Sequence, residues 1–269
     1  MINPPTDPNR QKKLQAFDRL LTIMDELRLN CPWDKKQTLE SLRHLTIEET
    51  YELSDAIIED DKPEIKKELG DLMLHLVFYA KITSETNDFD IADVLEGVAD
   101  KLIRRHPHIY ADTDADSAEQ VEQNWEQIKL KEKGNKGVLS GVPKSLPAMV
   151  KAHRVQEKVS SVGFDWDNAQ QVWDKVREEW EELQAETRAE EVDQEKVMEE
   201  MGDVLFSMVN LSRFINVNPE EALERTNKKF IQRFTYIEEQ ARAAGKQVHE
   251  LSLSEMEELW VKAKKQNKG

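Results

Sequence analysis

A carboxylate pattern occurs twice in this chain, once in each half, in the same order and at nearly the same spacing. The first copy reads Glu48-Glu49-Thr50-Tyr51-Glu52, then Glu68-Leu69-Gly70-Asp71; the second reads Glu178-Glu179-Trp180-Glu181-Glu182, then Glu200-Met201-Gly202-Asp203. Glu178 follows Glu48 at nearly the same interval as Glu200 follows Glu68, which marks an internal duplication that carries a site. With 269 residues the chain is long enough for two ordinary domains with cores of their own. Residues three and four apart lie on one helix face, so Glu49 pairs with Glu52 and Glu68 with Asp71. Two such helices packed antiparallel aim four or five carboxylates at one point.

That cluster repels itself unless some of its groups take up protons or a cation neutralises them. A hard divalent cation resolves the conflict: Mg²⁺ prefers carboxylate oxygens and keeps positions open for water and substrate phosphates. The chain is 34% charged, and one EExxE alone reads as a solvated helix face. Two copies, each followed by E-x-G-D and an apolar run, favour the metal site.

Composition narrows the partners. Acidic residues outnumber basic ones 54 to 38, for a net charge of −16, which disfavours a nucleic-acid backbone or an anionic membrane surface. One cysteine, Cys31, provides no intrachain disulfide and suits a reducing compartment. No apolar stretch approaches the roughly 18 residues that span a bilayer, and the amino terminus lacks an export pattern, so a cytoplasmic protein is expected.

Helical periodicity runs through both halves. Leu14, Phe17, Leu20, Leu21, Met24 and Leu27 mark a first amphipathic helix, broken at Cys31-Pro32-Trp33-Asp34. A second helix is expected over about 38–59, a third over about 63–82 and a fourth over about 91–105; a last one in this half centres on Trp125. The run Leu72 to Phe78 is apolar nearly all round, as in a buried helix. Residues 134–147 are rich in glycine and proline and read as a linker between an N-terminal helical domain, 1–133, and a C-terminal one, 148–269. The second half repeats the order: Trp166 stands for Trp33, Leu223 for Leu95, Lys229 for Lys101, Arg233 for Arg105 and Trp260 for Trp125. No alternating strand pattern is present, and the expected fold is all-α.

Gly70 and Gly202 sit mid-helix, at a cost of about 1 kcal/mol each. They mark either a close approach of a metal-bound phosphate or tight helix packing. Lys101 with Arg105, and Lys229 with Arg233, lie one turn apart and reach phosphates or solvent. Lys175, one turn before Glu178, corresponds to Leu45, and Lys196, one turn before Glu200, corresponds to Glu64. The added lysines favour the second half as the working site, since a triphosphate brings negative charge beyond what Mg²⁺ neutralises. The paired tryptophans serve as core anchors or stacking platforms, with Trp260 the candidate nucleotide contact. No Glu-x-x-His occurs, against a di-iron bundle.

With EExxE, E-x-G-D, Cys31-Pro32-Trp33-Asp34, Arg104-Arg105-His106-Pro107-His108 and Gly163-Phe164-Asp165-Trp166 in this order, the chain resembles the MazG family of nucleoside triphosphate pyrophosphohydrolases over nearly its whole length. The resemblance implies tandem helical bundles that form a homodimer or higher oligomer, and Mg²⁺-dependent cleavage of a nucleoside triphosphate to the monophosphate and pyrophosphate, with Mn²⁺ as a substitute. It makes Glu179, Glu182, Glu200 and Asp203 the metal ligands, with a second set at Glu49, Glu52, Glu68 and Asp71. It also gives Lys175, Lys196, Lys229 and Arg233 to the phosphates and Trp260 to the nucleotide, and Glu178 remains to position or deprotonate water. Nucleotide-pool housecleaning or regulation is the implied role. The competing class is a non-catalytic helical scaffold or nucleotide sensor, which has no use for converging carboxylates.

Overall fold

Each helix that carries an acidic motif begins on a residue suited to begin it. Thr38 Oγ1 accepts from the Ser41 amide to start α2 (Leu39–Ile58), after α1 (Arg10–Asn30) and one 3₁₀ turn at Asp34–Lys36. Asp61 caps α3 (Lys62–Ser84), whose second residue is Pro63, and Asp60 turns the chain between them at φ 56°. Asp90 caps α4 (Ile91–Arg105), and the short α5 (Pro107–Tyr110) follows. In the second half α6 (Ala148–Ser160) is followed by α7 (Ala169–Thr187), capped by Asn168, and α8 (Gln194–Phe214), capped by Asp193. Then come α9 (Pro219–Ala243), a 3₁₀ turn at Val248–Glu250 and α10 (Leu253–Gln266).

The computed structural model describes residues 7–111, 117, 120–121, 124–125, 128–129 and 137–266, and every regular element among them is helical. The chain divides into two units, Met1–Lys133 and Gly134–Gly269. In the first, α2 packs along α3 and α1 lies against α3. Met24, Leu42, Val77 and Phe78 form its buried centre, and burying side chains of this size stabilises by about 1.5–3 kcal/mol each. The Thr46 and Tyr79 hydroxyls share a hydrogen bond of 2.5 Å that ties α2 to α3 one turn from Glu49. In the second, α7 packs along α8 and α6 lies on α8, while α9 pairs with α10 around Ile237, Ala241 and Leu251.

Two sequence expectations change here. The apolar run of α3 is not buried all round: Val77 and Phe78 face the core, whereas Leu69, Met73 and Leu76 remain 53%, 42% and 52% exposed. The equivalent residues of α8, Met201, Leu205 and Met208, are exposed to a similar degree. One helix face fills the core of its own unit, and the opposite face is left uncovered. Trp33 and Trp166 are likewise half-exposed instead of anchoring a core. The helix expected around Trp125 falls largely outside the described residues, although the Trp125 ring itself packs 5.4 Å from that of His106.

Candidate active site

On the facing turns of α2 and α3, oxygens of Glu49, Glu68 and Asp71 lie within 4.8 Å of one another. Glu68 is fully buried and its Oε2 has no hydrogen-bond partner. Burial, a hydrogen bond shared with Glu68 and the charge of Asp71 push the Glu49 carboxyl above the usual range. Lys67 holds Glu68 below it, because its ammonium lies 2.7 Å from Glu68 Oε1 and 2.6 Å from Glu64 Oε1. The neighbouring carboxyls are therefore pushed in opposite directions, Glu49 upward and Glu68 downward. Lys67 gives no signal in the duplicated pattern, because the residue equivalent to it in the second half is the acidic Glu199.

The second half repeats the arrangement with a different counter-charge. Oxygens of Glu179, Glu182 and Glu200 come within 4.8 Å of one another, with Glu179 buried and Glu182 exposed. Burial and the charges of Glu179 and Glu200 raise the Glu182 carboxyl, against the opposing pull of Lys175. Lys175 reaches Glu178 Oε1 at 2.8 Å and Glu179 Oε1 at 2.7 Å, and both contacts raise its own pKa. Asp203 and Glu52, the fourth members of the expected sets, stand outside the two tight triads. Lys196 is exposed on the first turn of α8.

A cavity of about 490 Å³ opens beside this triad, bounded by α6, α7, α8 and the Gly163–Trp166 loop. Lys175, Glu179 and Asp203 form its polar end, and Val155, Val159, Phe164, Trp166 and Phe206 much of the rest. The loop is fixed by Asp165, which takes two contacts from the Arg213 guanidinium, one from Ser160 Oγ at 2.5 Å and one from the Trp166 amide at 2.9 Å. Burial alone raises a carboxyl, but these donors outweigh it and Asp165 is held below the usual range.

Lys229, Arg233 and Trp260 are not on the cavity wall. They belong to the α9–α10 pair, where the Arg233 guanidinium lies 5.3 Å from the centre of the Trp260 ring and Phe230 packs 5.1 Å from it. In the first half Lys101 is exposed and Arg105 half-buried on α4. Among the described residues a Cβ added at Gly70 or Gly202 would meet nothing within 4 Å, so packing among them does not require either glycine.

Comparison with known proteins assigns this geometry a family. The MazG nucleotide pyrophosphohydrolase domain matches residues 37–110 and again 168–237, one match for each acidic pair. The nucleoside triphosphate pyrophosphohydrolase of Escherichia coli (strain K12) is 44% identical over 259 residues, covering 94% of this chain and 98% of that protein. The nucleoside triphosphate pyrophosphohydrolase/pyrophosphatase MazG of Thermotoga maritima is 44% identical over 252 residues, covering 92% of this chain and 95% of that protein. A protein of the former name from Mycobacterium tuberculosis is 35% identical over 158 residues, covering 58% of this chain and 48% of its own length.

Proposed function

The chain belongs to the MazG nucleotide pyrophosphohydrolase family, and from that premise we infer that it hydrolyses nucleoside triphosphates to nucleoside monophosphates and pyrophosphate. Beyond the family's reaction, we propose that the working site is the second half's triad on α7 and α8. The observation that carries this is the cavity: in the second half Glu179 of the triad, with Asp203, borders a space large enough for the rest of a nucleotide.

Oxygen is the only donor type in the triad, which suits Mg²⁺ or Mn²⁺ and not a soft metal. Glu179, Glu182 and Glu200 would hold the ion, with Asp203 beside them. When bound, the ion supplies Lewis-acid polarisation of phosphate oxygens and charge neutralisation. Lys175, already beside the carboxylates, is placed to turn its ammonium to a phosphate once substrate arrives. Glu178 accepts from Lys175, and on that lysine's departure it becomes free to orient a water and take its proton as the oxygen bonds to phosphorus and the anhydride bond breaks. Lys196, Lys229, Arg233 and Trp260 remain candidates for the phosphates and the nucleotide, the last three from the α9–α10 pair.

The matching exposed stripes Leu69-Met73-Leu76 and Met201-Leu205-Met208 support self-association, with a second copy of the chain as the occupant that covers them. Among the described residues no helix is long and apolar enough to cross a membrane. A cytoplasmic enzyme, without nucleic-acid or membrane partners and serving nucleotide-pool housecleaning or regulation, fits the acidic composition and single cysteine. Pyrophosphate release from a panel of nucleoside triphosphates, with Mg²⁺ and with excess chelator, tests the reading.

A further inference from the structure

Two buried apolar residues of the first half, Met24 and Phe78, have amides as their counterparts by spacing in the second. Gln156 follows Met24, and Asn210 follows Phe78, at the same interval by which Glu200 follows Glu68. Met24 and Phe78 are 1% and 2% exposed and pack on Leu42 and Val77. Gln156 and Asn210 instead line the cavity that ends at Glu179 and Asp203. Leucine or phenylalanine would pack there without needing partners, whereas an amide withdrawn from water costs free energy unless it is hydrogen-bonded.

Both amides have a fixed orientation. Gln156 Nε2 donates to the Phe206 carbonyl at 2.9 Å, which leaves Oε1 as an acceptor, and that oxygen is buried without a partner. Asn210 Oδ1 accepts from Arg213 Nη2 at 3.0 Å, so its Nδ2 faces away as a donor. Arg213 is itself held by Asp165 and Ser160, so it is not free to turn. Besides its carboxylates, the cavity thus has apolar and aromatic walls and the two amide side chains Gln156 and Asn210. A flat heteroaromatic ring with a donor and an acceptor on one edge matches this set.

We propose that this cavity holds the nucleobase of the substrate, and that Gln156 and Asn210 are the residues that read its hydrogen-bonding edge. The inference rests on the reading of the second half as the working site.

The test uses the full chain with Mg²⁺ and measures kcat and KM for ATP, GTP, CTP and UTP. Asn210→Asp keeps the size and removes the donor, and Gln156→Met installs the side chain the first half already tolerates. Each should raise KM about tenfold for bases that use the lost contact, and so reorder kcat/KM among the four substrates. Ki values for the four monophosphates should shift in parallel, a change that a loss of folded protein would not produce. Unchanged relative kcat/KM and Ki values in both variants, with circular dichroism as in the parent, would overturn the assignment while leaving the working site standing. Glu200→Gln separates the two readings: if it leaves turnover intact, the second half is not the working site and the base pocket falls with it.

Discussion

The ammonium of Lys175 lies 2.7 Å from Oε1 of Glu179, one turn further along the same helix. In the first half the position of Lys175 is Leu45, and the buried carboxylate there, Glu68, is paired instead by its own neighbour Lys67. The two halves therefore neutralise similar triads from different sides. In the second, the lysine stands at the polar end of an open cavity and is available to a phosphate.

Hydrolysis should require Mg²⁺ or Mn²⁺ and should release pyrophosphate in one step. Three carboxylate oxygens within 4.8 Å are otherwise too crowded to remain ionised together. Coupled detection of pyrophosphate and orthophosphate, with and without chelator, checks this; full turnover in excess chelator, or orthophosphate as the first product, contradicts it.

Removing the Asp165 carboxylate should destabilise the second unit in a pH-dependent way. Asp165 is held below the usual carboxylate range, so the stability it contributes is present above its unfolded value of about 3.8 and is lost as pH falls through the lower folded value. Asp165→Asn should cost about 1–3 kcal/mol at pH 7, and much less near pH 2. Denaturant unfolding of both proteins at the two pH values measures the difference, and an equal cost at both would rule out the ion pair with Arg213 as its source.

The exposed stripes on α3 and α8 should be covered by a second copy of the chain. Light scattering at micromolar concentration should give at least twice the mass of one chain, and Leu69→Glu with Leu205→Glu should lower it. A monomer of full activity would contradict the assembly.

The acidic motifs were legible because helical spacing alone puts Glu49 or Glu179 on one face and Glu68 or Glu200 on another, and the duplication repeats the pattern. Helix ends were legible where capping chemistry is strong, as at Thr38 and Asp61. Membership of the triads was less so: spacing places Asp203 and Glu200 together, but the approach of α7 to α8 brings Glu182 into the cluster and leaves Asp203 on the cavity wall. Gln156 and Asn210 belong to no motif. Their signal was the exchange of two apolar core residues for amides between halves, visible only once the packing of Met24 and Phe78 is known. The exposed face of α3 was not legible because a run that is apolar nearly all round reads as buried.

The most direct measurement compares Mg²⁺-dependent pyrophosphate release by Glu200→Gln and Asp203→Asn with that by Glu68→Gln and Asp71→Asn, all in the full chain. Loss of a carboxylate at the working metal site should lower kcat by more than the roughly 10–100-fold typical of changes one layer further out, whereas the first-half pair should keep turnover near that of the parent. Inactive Glu68 and Asp71 variants, alongside Glu200 and Asp203 variants of normal rate, would place the chemistry in the first half and contradict the assignment.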